Sequence, residues 1–247
     1  RGGQILADIT KDRKIKSVAI TYTNNDYGKG LADVYAAACE AHGIKVTTSA
    51  AHEDGKADYS AEVATLASAG GDAIAVIGYL DQGGKGIIQG ALDSGAFDTF
   101  ILSDGMIGDS LTDAFGKSLN KSFGSLPGST GKGAGVFATV AGDAGIDPSG
   151  PYTGESYDAA ALIVLAMQAS GSADRKGIAD NVMAVANAPG KKIYPGQLKK
   201  ALDLLAKGKA VDYEGATGVN FTDVGEAEGS FLEKEIKGGK FKTKKQR

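Results

Sequence analysis

An alternation of apolar stretches and alanine-rich stretches runs through the first half of the chain and constrains the fold most strongly. Residues 16–22 predict a buried strand, a polar turn with glycines follows at 23–30, and residues 31–42 predict a helix. The pattern recurs three more times before Phe123. In the predicted strand 72–77, the run AIAVI is typical of a parallel strand that is covered on both faces. The alternation predicts an α/β fold with a parallel sheet.

Composition and charge exclude several classes of protein. The 247 residues are 42% hydrophobic and 23% charged, with a formal net charge of −3, so nothing indicates a nucleic acid partner. No apolar run reaches the roughly 20 residues that span a bilayer. Cys39 is the only cysteine, which excludes an internal disulfide. The chain starts at Arg1 with no signal peptide, and we therefore expect a processed chain or a fragment.

The second half of the chain has a different pattern, in which several helices are followed by short strands. Helices are predicted at 134–144, 154–170, 174–185 and 195–207, followed by an extended stretch at 211–213 and short strands at 218–221, 229–236 and 240–242. We therefore expect one lobe from residues 1–125 plus 213–247 and a helical block at 126–212. The block has no predicted sheet of its own, so Leu162, Leu165 and Val182 should be exposed unless a partner covers them.

Known motifs for phosphates, metals and nucleophilic catalysis do not fit the chain. Two Gly-Lys pairs, at 84–85 and 131–132, are each followed by glycine where a phosphate-binding loop needs Ser or Thr. Two histidines and one cysteine make a zinc cluster improbable, and no G-x-S-x-G elbow is present. The sequence therefore predicts no catalytic residues, no metal and no cofactor.

Aromatic and acidic residues recur in the turns that follow predicted strands: Tyr27, Tyr79 and Asp104, with Tyr152 in the crossover region. Ligands of open α/β sheets bind at the carboxyl ends of the strands, where these turns lie. Taken singly, each residue is explained equally well by ring packing or by capping. Together, an apolar ring face, a hydroxyl and a carboxylate suit a small, partly apolar cation or zwitterion.

The ordered motifs resemble the periplasmic solute-binding proteins of ABC transporters for branched-chain amino acids, the leucine/isoleucine/valine-binding type. The matching segments are residues 25–32 (NDYGKGLA), 55–60 (GKADYS), 78–79 (GY), 103–105 (SDG), 147–152 (DPSGPY), 157–160 (YDAA) and 218–221 (GVNF). The resemblance implies a type I periplasmic-binding-protein fold. In that fold, two parallel-sheet lobes with helices on both faces hold the ligand in the cleft between them.

The resemblance also implies a function and a set of ligand-binding residues. Tyr27 and Tyr79 would line the wall of the second lobe, Asp104 would hold the α-ammonium, and Tyr152 would lie against the side chain, with Asn25 and Glu155 close by. The protein would be a periplasmic receptor that binds a small amino acid, branched-chain or otherwise aliphatic, without changing it. It would deliver that ligand to the membrane permease by hinge closure. The alternative is an α/β enzyme or ligand-sensing domain that acts on another small carboxylate or amide.

This sequence departs from the family in its first lobe. In the family's proteins, most of the first lobe precedes the residue that matches Arg1, so this sequence lacks that part. The resemblance therefore implies a complete second lobe and a partial first lobe. We accordingly expect weak ligand binding by this chain and self-association through the incomplete lobe.

Overall fold

The computed structural model describes all 247 residues, which form two compact units. Unit 1 comprises Arg1–Leu126, Phe231–Lys245 and Arg247, and unit 2 comprises Pro127–Ser230 and Gln246. Residues 213–230 thus belong to unit 2, whereas the sequence grouped them with the C-terminal strands.

Nine α-helices and nine β-strands make up the two units. In chain order they are α1 Gly2–Asp12, β1 Ser17–Thr23, α2 Asp26–Ala41, β2 Lys45–His52, α3 Ser60–Ala69, β3 Ala73–Ile77, α4 Lys85–Asp93, β4 Phe100–Leu102, α5 Asp109–Phe115, β5 Phe123–Pro127, α6 Lys132–Asp143, α7 Thr153–Ser170, α8 Arg175–Ala186, β6 Lys191–Ile193, α9 Leu198–Leu205, β7 Val211–Tyr213, β8 Phe231–Lys237 and β9 Lys240–Gln246. None of the helices combines the length and the apolarity needed to cross a membrane.

Unit 1 is built on a seven-stranded sheet with the strand order β2-β1-β3-β4-β5-β8-β9. The first five strands in this order are parallel, which confirms the predicted α/β fold. Tyr22 pairs with Ile77, and Val76 pairs with Leu102, so β1, β3 and β4 end at nearly the same level. The turns that follow these three strands therefore lie side by side.

Side chains of alternate residues on the central strands enter two separate cores. Val18 and Ile20 pack with residues of α1 and α2, whereas Ala19 packs with residues of α3 and α4. Because successive side chains of a strand point to opposite faces, a strand covered on both faces must be apolar at every position. This explains why all five residues of β3 are buried.

Helix α2 begins five residues earlier than the sequence predicts, inside the polar stretch assigned to a turn. The Asn25 side chain caps it, with Oδ1 accepting a hydrogen bond from the Gly28 amide at 2.8 Å. A Cβ atom at Gly28 would collide with the Thr23 carbonyl, so the close approach of helix and strand requires glycine here. As a result, Tyr27 lies in the first turn of a helix.

Unit 2 has its own small core, which contradicts the expected exposure of its apolar helix faces. Leu162 and Leu165 are buried, and Val182 is partly buried against the same cluster. Two short parallel strands, β6 and β7, supply Ile193 and Val211 to this core. The sequence did not predict β6, because three residues with two lysines carry no strand periodicity. The strand expected at 218–221 is reduced to a single bridge between Phe221 and Ala227.

Candidate ligand-binding site

The carboxyl ends of β1, β3 and β4 bring together four of the six candidate residues. Tyr27 projects from the first turn of α2, Tyr79 follows β3, and Asp104 follows β4. Asn25 precedes α2 at the end of β1. The strand-end cluster, as we call Asn25, Tyr27, Tyr79 and Asp104, is part of unit 1 alone.

A short hydrogen bond joins Tyr27 to Asp104 within the strand-end cluster. The Tyr27 hydroxyl lies 2.6 Å from Asp104 Oδ1 and 3.1 Å from Ser103 Oγ. Burial and the adjacent Asp104 carboxylate raise the pKa of the Tyr27 hydroxyl above its usual value. The hydroxyl therefore remains protonated and donates to the carboxylate. Because Tyr27 is neutral, this hydrogen bond leaves the negative charge of Asp104 in place.

Tyr79 completes an aromatic wall beside the carboxylate. Its ring stacks on that of Tyr27, with centroids 5.4 Å apart and an interplanar angle of 25°. Asn25 Nδ2 lies 3.5 Å from the Tyr79 hydroxyl, while Asn25 Oδ1 is occupied by the helix cap. The structure thus gives Asn25 a structural role, and its predicted contact with a ligand stays a prediction.

Two residues that connect these turns were not selected from the sequence as site residues. Ser103 is 1% exposed, and its Oγ accepts a hydrogen bond from the Gly78 amide at 3.3 Å. A Cβ atom at Gly105 would collide with the Gly78 carbonyl. Both residues immediately flank Asp104, so the position of the strand end was the signal that could have identified them. They hold the turns after β3 and β4 in contact.

The turn after Tyr79, Leu80–Gly84, departs from helical geometry at Gly83. The Gly84 amide donates to the Tyr79 carbonyl at 3.1 Å. The Gln82 carbonyl accepts from the Gly55 amide at 2.5 Å and from the Tyr59 hydroxyl at 2.9 Å. Here the turn fixes the backbone of Tyr79 against the loop after β2.

The other two candidates, Tyr152 and Glu155, lie together at the N-terminus of α7 in unit 2. Tyr152 has left-handed backbone geometry, with φ near 60°, and its side chain is 38% exposed. Glu155 is half-buried, and burial, together with the Asp158 carboxylate, raises its pKa. Asp158 itself is buried and accepts hydrogen bonds from the Tyr213 hydroxyl at 2.9 Å and from the Ala216 amide at 2.8 Å. Asp158 therefore anchors the segment after β7 to the start of α7.

The groups present indicate what the strand-end cluster can do chemically. It offers a carboxylate, two hydroxyls and two stacked aromatic faces, which are the groups that bind an ammonium beside an apolar body. No group of three or more His, Cys, Asp or Glu side chains is arranged to hold a metal ion.

Comparison with known proteins identifies relatives over most of the chain. Residues 3–224 match the family model described as periplasmic binding protein. The Leu/Ile/Val-binding protein homolog 1 of Brucella melitensis is 31% identical over 180 residues, which are 72% of this chain and 47% of the relative. The chemotactic substrate-binding protein BasB of Halobacterium salinarum is 39% identical over 71 residues, 29% of this chain and 17% of its own. The chain thus spans at most about half the length of these relatives.

Solved structures share the fold over nearly the entire chain. A leucine binding protein, LivK, from Thermotoga maritima has a TM-score of 0.77 at 20% identity, covering 99% of this chain and 64% of its own. LivJ from Streptococcus pneumoniae, in complex with isoleucine, has a TM-score of 0.73 at 19% identity. The match covers 100% of this chain and 64% of LivJ. A solute-binding protein from Rhodopseudomonas palustris, in complex with benzoate, has a TM-score of 0.71 at 13% identity. The match covers 99% of this chain and 62% of that protein.

Proposed function

The chain belongs to the periplasmic binding protein family, as its ordered motifs predicted, and we propose that it binds a small aliphatic amino acid through the strand-end cluster. The observation that carries the proposal is the Asp104 carboxylate, held at 2.6 Å by the neutral hydroxyl of Tyr27 beside a stacked tyrosine pair. A fixed carboxylate binds an ammonium group by a charge-assisted hydrogen bond. The preferred ligand therefore carries a positive charge next to an apolar group.

The relatives support branched-chain amino acids as the ligand class. The Brucella relative is named a Leu/Ile/Val-binding protein homolog, and the pneumococcal LivJ structure contains isoleucine. The two stacked tyrosines supply apolar surface for such a ligand without a requirement for hydrogen bonds to its side chain. Ligand contacts by Tyr152 and Glu155, which the resemblance implies, stay a prediction.

We further propose that the protein serves an ABC importer as its solute receptor in the periplasm and passes the ligand to a membrane permease. Periplasmic or extracellular location follows from the family description. The transport role is supported by the LivJ neighbour, which is named a branched-chain amino acid transporter substrate binding protein. The family description names binding, and in this proposal the ligand is bound without chemical change.

The benzoate complex of the Rhodopseudomonas neighbour suggests a competing ligand class, since benzoate has a carboxylate and no ammonium. Asp104 disfavours such a ligand, because two carboxylates brought together repel each other. Ligand identity therefore distinguishes the two possibilities.

The test is a thermal-shift and calorimetry series on the 247-residue chain with leucine, isoleucine, valine, benzoate and a nucleotide such as ATP. We expect the branched-chain amino acids to raise the melting temperature, because a ligand at about 100 times its Kd stabilises a protein by about 2.7 kcal/mol. Benzoate and ATP should leave it unchanged. Stabilisation by benzoate or ATP, without stabilisation by any amino acid, would contradict the proposal.

A further inference from the structure

A buried histidine lies behind the strand-end cluster. His52 is the last residue of β2 and only 1% exposed. Its Nδ1 lies 2.9 Å from the Thr21 hydroxyl. Its Nε2 is fully buried and has no hydrogen-bond partner. A buried ring nitrogen without a partner is uncommon in native proteins and calls for an explanation.

The ring of His52 packs against the backbone on both sides of Tyr79. A Cβ atom built on Gly78 would lie 3.2 Å from His52 Nε2, and one built on Gly83 would lie 3.4 Å from His52 Cδ2. Gly78 immediately precedes Tyr79, and Gly83 is the fourth residue of the turn Leu80–Gly84 that follows it. The imidazole thus fills the space beneath this turn, and the two glycines allow it to approach closely.

Tyr59 supports the same turn next to His52. Its ring meets the His52 ring edge-on, with centroids 6.2 Å apart and an interplanar angle of 84°. Its hydroxyl lies 2.9 Å from the Gln82 carbonyl and 3.0 Å from the Glu53 carbonyl. In addition, the Asn24 amide donates to the His52 carbonyl at 2.9 Å, which connects His52 to the segment that leads into α2.

We propose that His52 is a positioning residue that holds Tyr79 in place, and that it does so only as the neutral imidazole. A neutral imidazole carries a proton on one nitrogen only. With that proton on Nδ1, next to the Thr21 hydroxyl, Nε2 has no proton to donate and can remain without a partner. A protonated ring is a donor at both nitrogens. Because Nε2 has no hydrogen-bond partner in this arrangement, a proton on it can be satisfied only if the ring or the turn packed against it moves.

Charged groups around His52 act in opposite directions on its protonation. Burial lowers the pKa of His52, while the carboxylates of Asp54 and Glu62, together with that of Glu53, raise it. The net result is a pKa below the usual value of 6.5. His52 is therefore neutral near pH 7, and it gains a proton only when the medium becomes distinctly acidic.

A functional consequence follows if the strand-end cluster binds an amino acid, and this step rests on the proposed function. When only the neutral form of His52 holds Tyr79 correctly, the apparent Kd rises about tenfold for each pH unit below the pKa of His52. The receptor would then bind its ligand at neutral pH and release it in acid.

The first experiment needs no ligand and uses NMR spectroscopy on the 247-residue chain. His42 and His52 are the only histidines, so their ring signals can be assigned with one variant of each. We expect the signals of Gly78, Tyr79 and Gly83 to shift with the same midpoint as the His52 ring, below pH 6.5. Backbone or ring signals that stay constant while His52 titrates would overturn the proposal.

The matched variants are His52→Gln, which cannot take up a proton, and His42→Gln, which removes the partly exposed histidine that pairs with Asp8. In His52→Gln the pH-dependent shift of the Tyr79 signals should disappear, while His42→Gln should retain it. The same shift in a folded His52→Gln variant would overturn the proposal. If His52→Gln does not fold, the titration of the wild-type chain decides alone.

The second experiment measures leucine affinity by calorimetry at pH 7.0 and at a pH one unit below the His52 midpoint found by NMR. The wild type should lose affinity at the lower pH, and His52→Gln should bind equally at both. Equal pH dependence in the two proteins would overturn the functional consequence. Absence of leucine binding at either pH would refute the proposed function, and the NMR titration would still decide the role of His52.

Discussion

Tyr27 contributes two separable contacts to the strand-end cluster, and a single substitution distinguishes them. Its hydroxyl is bound to Asp104 at 2.6 Å, and its ring is stacked on Tyr79. Replacement by phenylalanine keeps the stacking and removes the hydrogen bond. Any loss of affinity is then caused by the loss of the hydrogen bond that orients the Asp104 carboxylate.

We predict that Tyr27→Phe weakens leucine binding about tenfold, because a hydrogen bond to a charged group contributes about 1.5–3 kcal/mol. Calorimetry at pH 7 measures the effect. The control is Tyr194→Phe in unit 2, a tyrosine whose ring packs under the Lys132 ammonium, and this variant should bind as the wild type does. Unchanged affinity in Tyr27→Phe would show that the hydroxyl does not prepare Asp104 for a ligand.

The sequence identified the partly buried residues of the candidate site and missed its fully buried polar residues. Tyr27, Tyr79 and Asp104 could be selected because the apolar pattern shows where each strand ends. Ser103 could have been found only from its place beside Asp104, and His52 not at all, because their roles depend on hydrogen bonds with the Gly78 amide and the Thr21 hydroxyl. These partners come from other strands, and the pattern of a single strand carries no information about them.

At the scale of elements, a buried carboxylate connects the C-terminal hairpin to the first helix. Glu233 on β8 has no exposed side-chain surface, and its oxygens bind Arg13, just after α1, at 3.0 Å and Arg247, just after β9, at 2.7 Å. Burial alone would raise the pKa of Glu233, but hydrogen bonds from Arg247 and Arg13 outweigh burial and lower it below the usual value. The hairpin is thus attached by a charge cluster as well as by its sheet hydrogen bonds.

We predict that Glu233→Gln lowers the free energy of unfolding by about 3 kcal/mol, because removing one partner of a buried ion pair leaves the other charges uncompensated. Urea denaturation at pH 7 provides the measurement. Glu235→Gln is the matched control: Glu235 is partly exposed and bound to Arg13 at 3.3 Å, so its loss should cost less than about 1 kcal/mol.

Acid pH gives a second readout of the same pair of variants. The pKa of Glu233 is lowered in the folded protein, so its contribution is fully present above the unfolded value of about 4.5 and is lost as the pH falls below it. The difference in stability between the wild type and Glu233→Gln should therefore shrink below pH 4.5. A constant difference down to pH 3 would exclude ionic stabilisation by Glu233.

The boundaries of helices and strands were predicted well where the apolar pattern is strong. They were predicted poorly where a side-chain hydrogen bond or a distant partner strand sets the boundary. β3 differs from its predicted range by one residue, because a continuous apolar run leaves little choice. The start of α2 depends on the hydrogen bond between Asn25 and Gly28, and a polar stretch of this kind suits a turn equally well. β6 exists because Lys191 and Ile193 pair with the distant β7.

At the scale of the whole molecule, both units possess a core of their own. Ile193, Val211 and Tyr213 close the core of unit 2 together with α7, α8 and α9. This packing removes the reason for which self-association was expected, namely exposure of Leu162 and Leu165. The large apolar residues of α7 that remain exposed are Ile163 and Val164. The chain matches its family over residues 3–224 and spans about half of the Brucella relative, so its ligand and transport partners are proposals.

The central claim is that Asp104 binds the ammonium group of an amino acid. The most direct measurement compares leucine with 4-methylpentanoate, which is leucine without its ammonium, on the wild type and on Asp104→Asn. Asp113→Asn serves as the control, since Asp113 is exposed and pairs with Lys240. We predict that the wild type and Asp113→Asn prefer leucine about thirtyfold or more, which corresponds to about 2 kcal/mol for a desolvated charge pair. Asp104→Asn should lose most of this preference, whereas an unchanged preference for leucine in Asp104→Asn would contradict the claim.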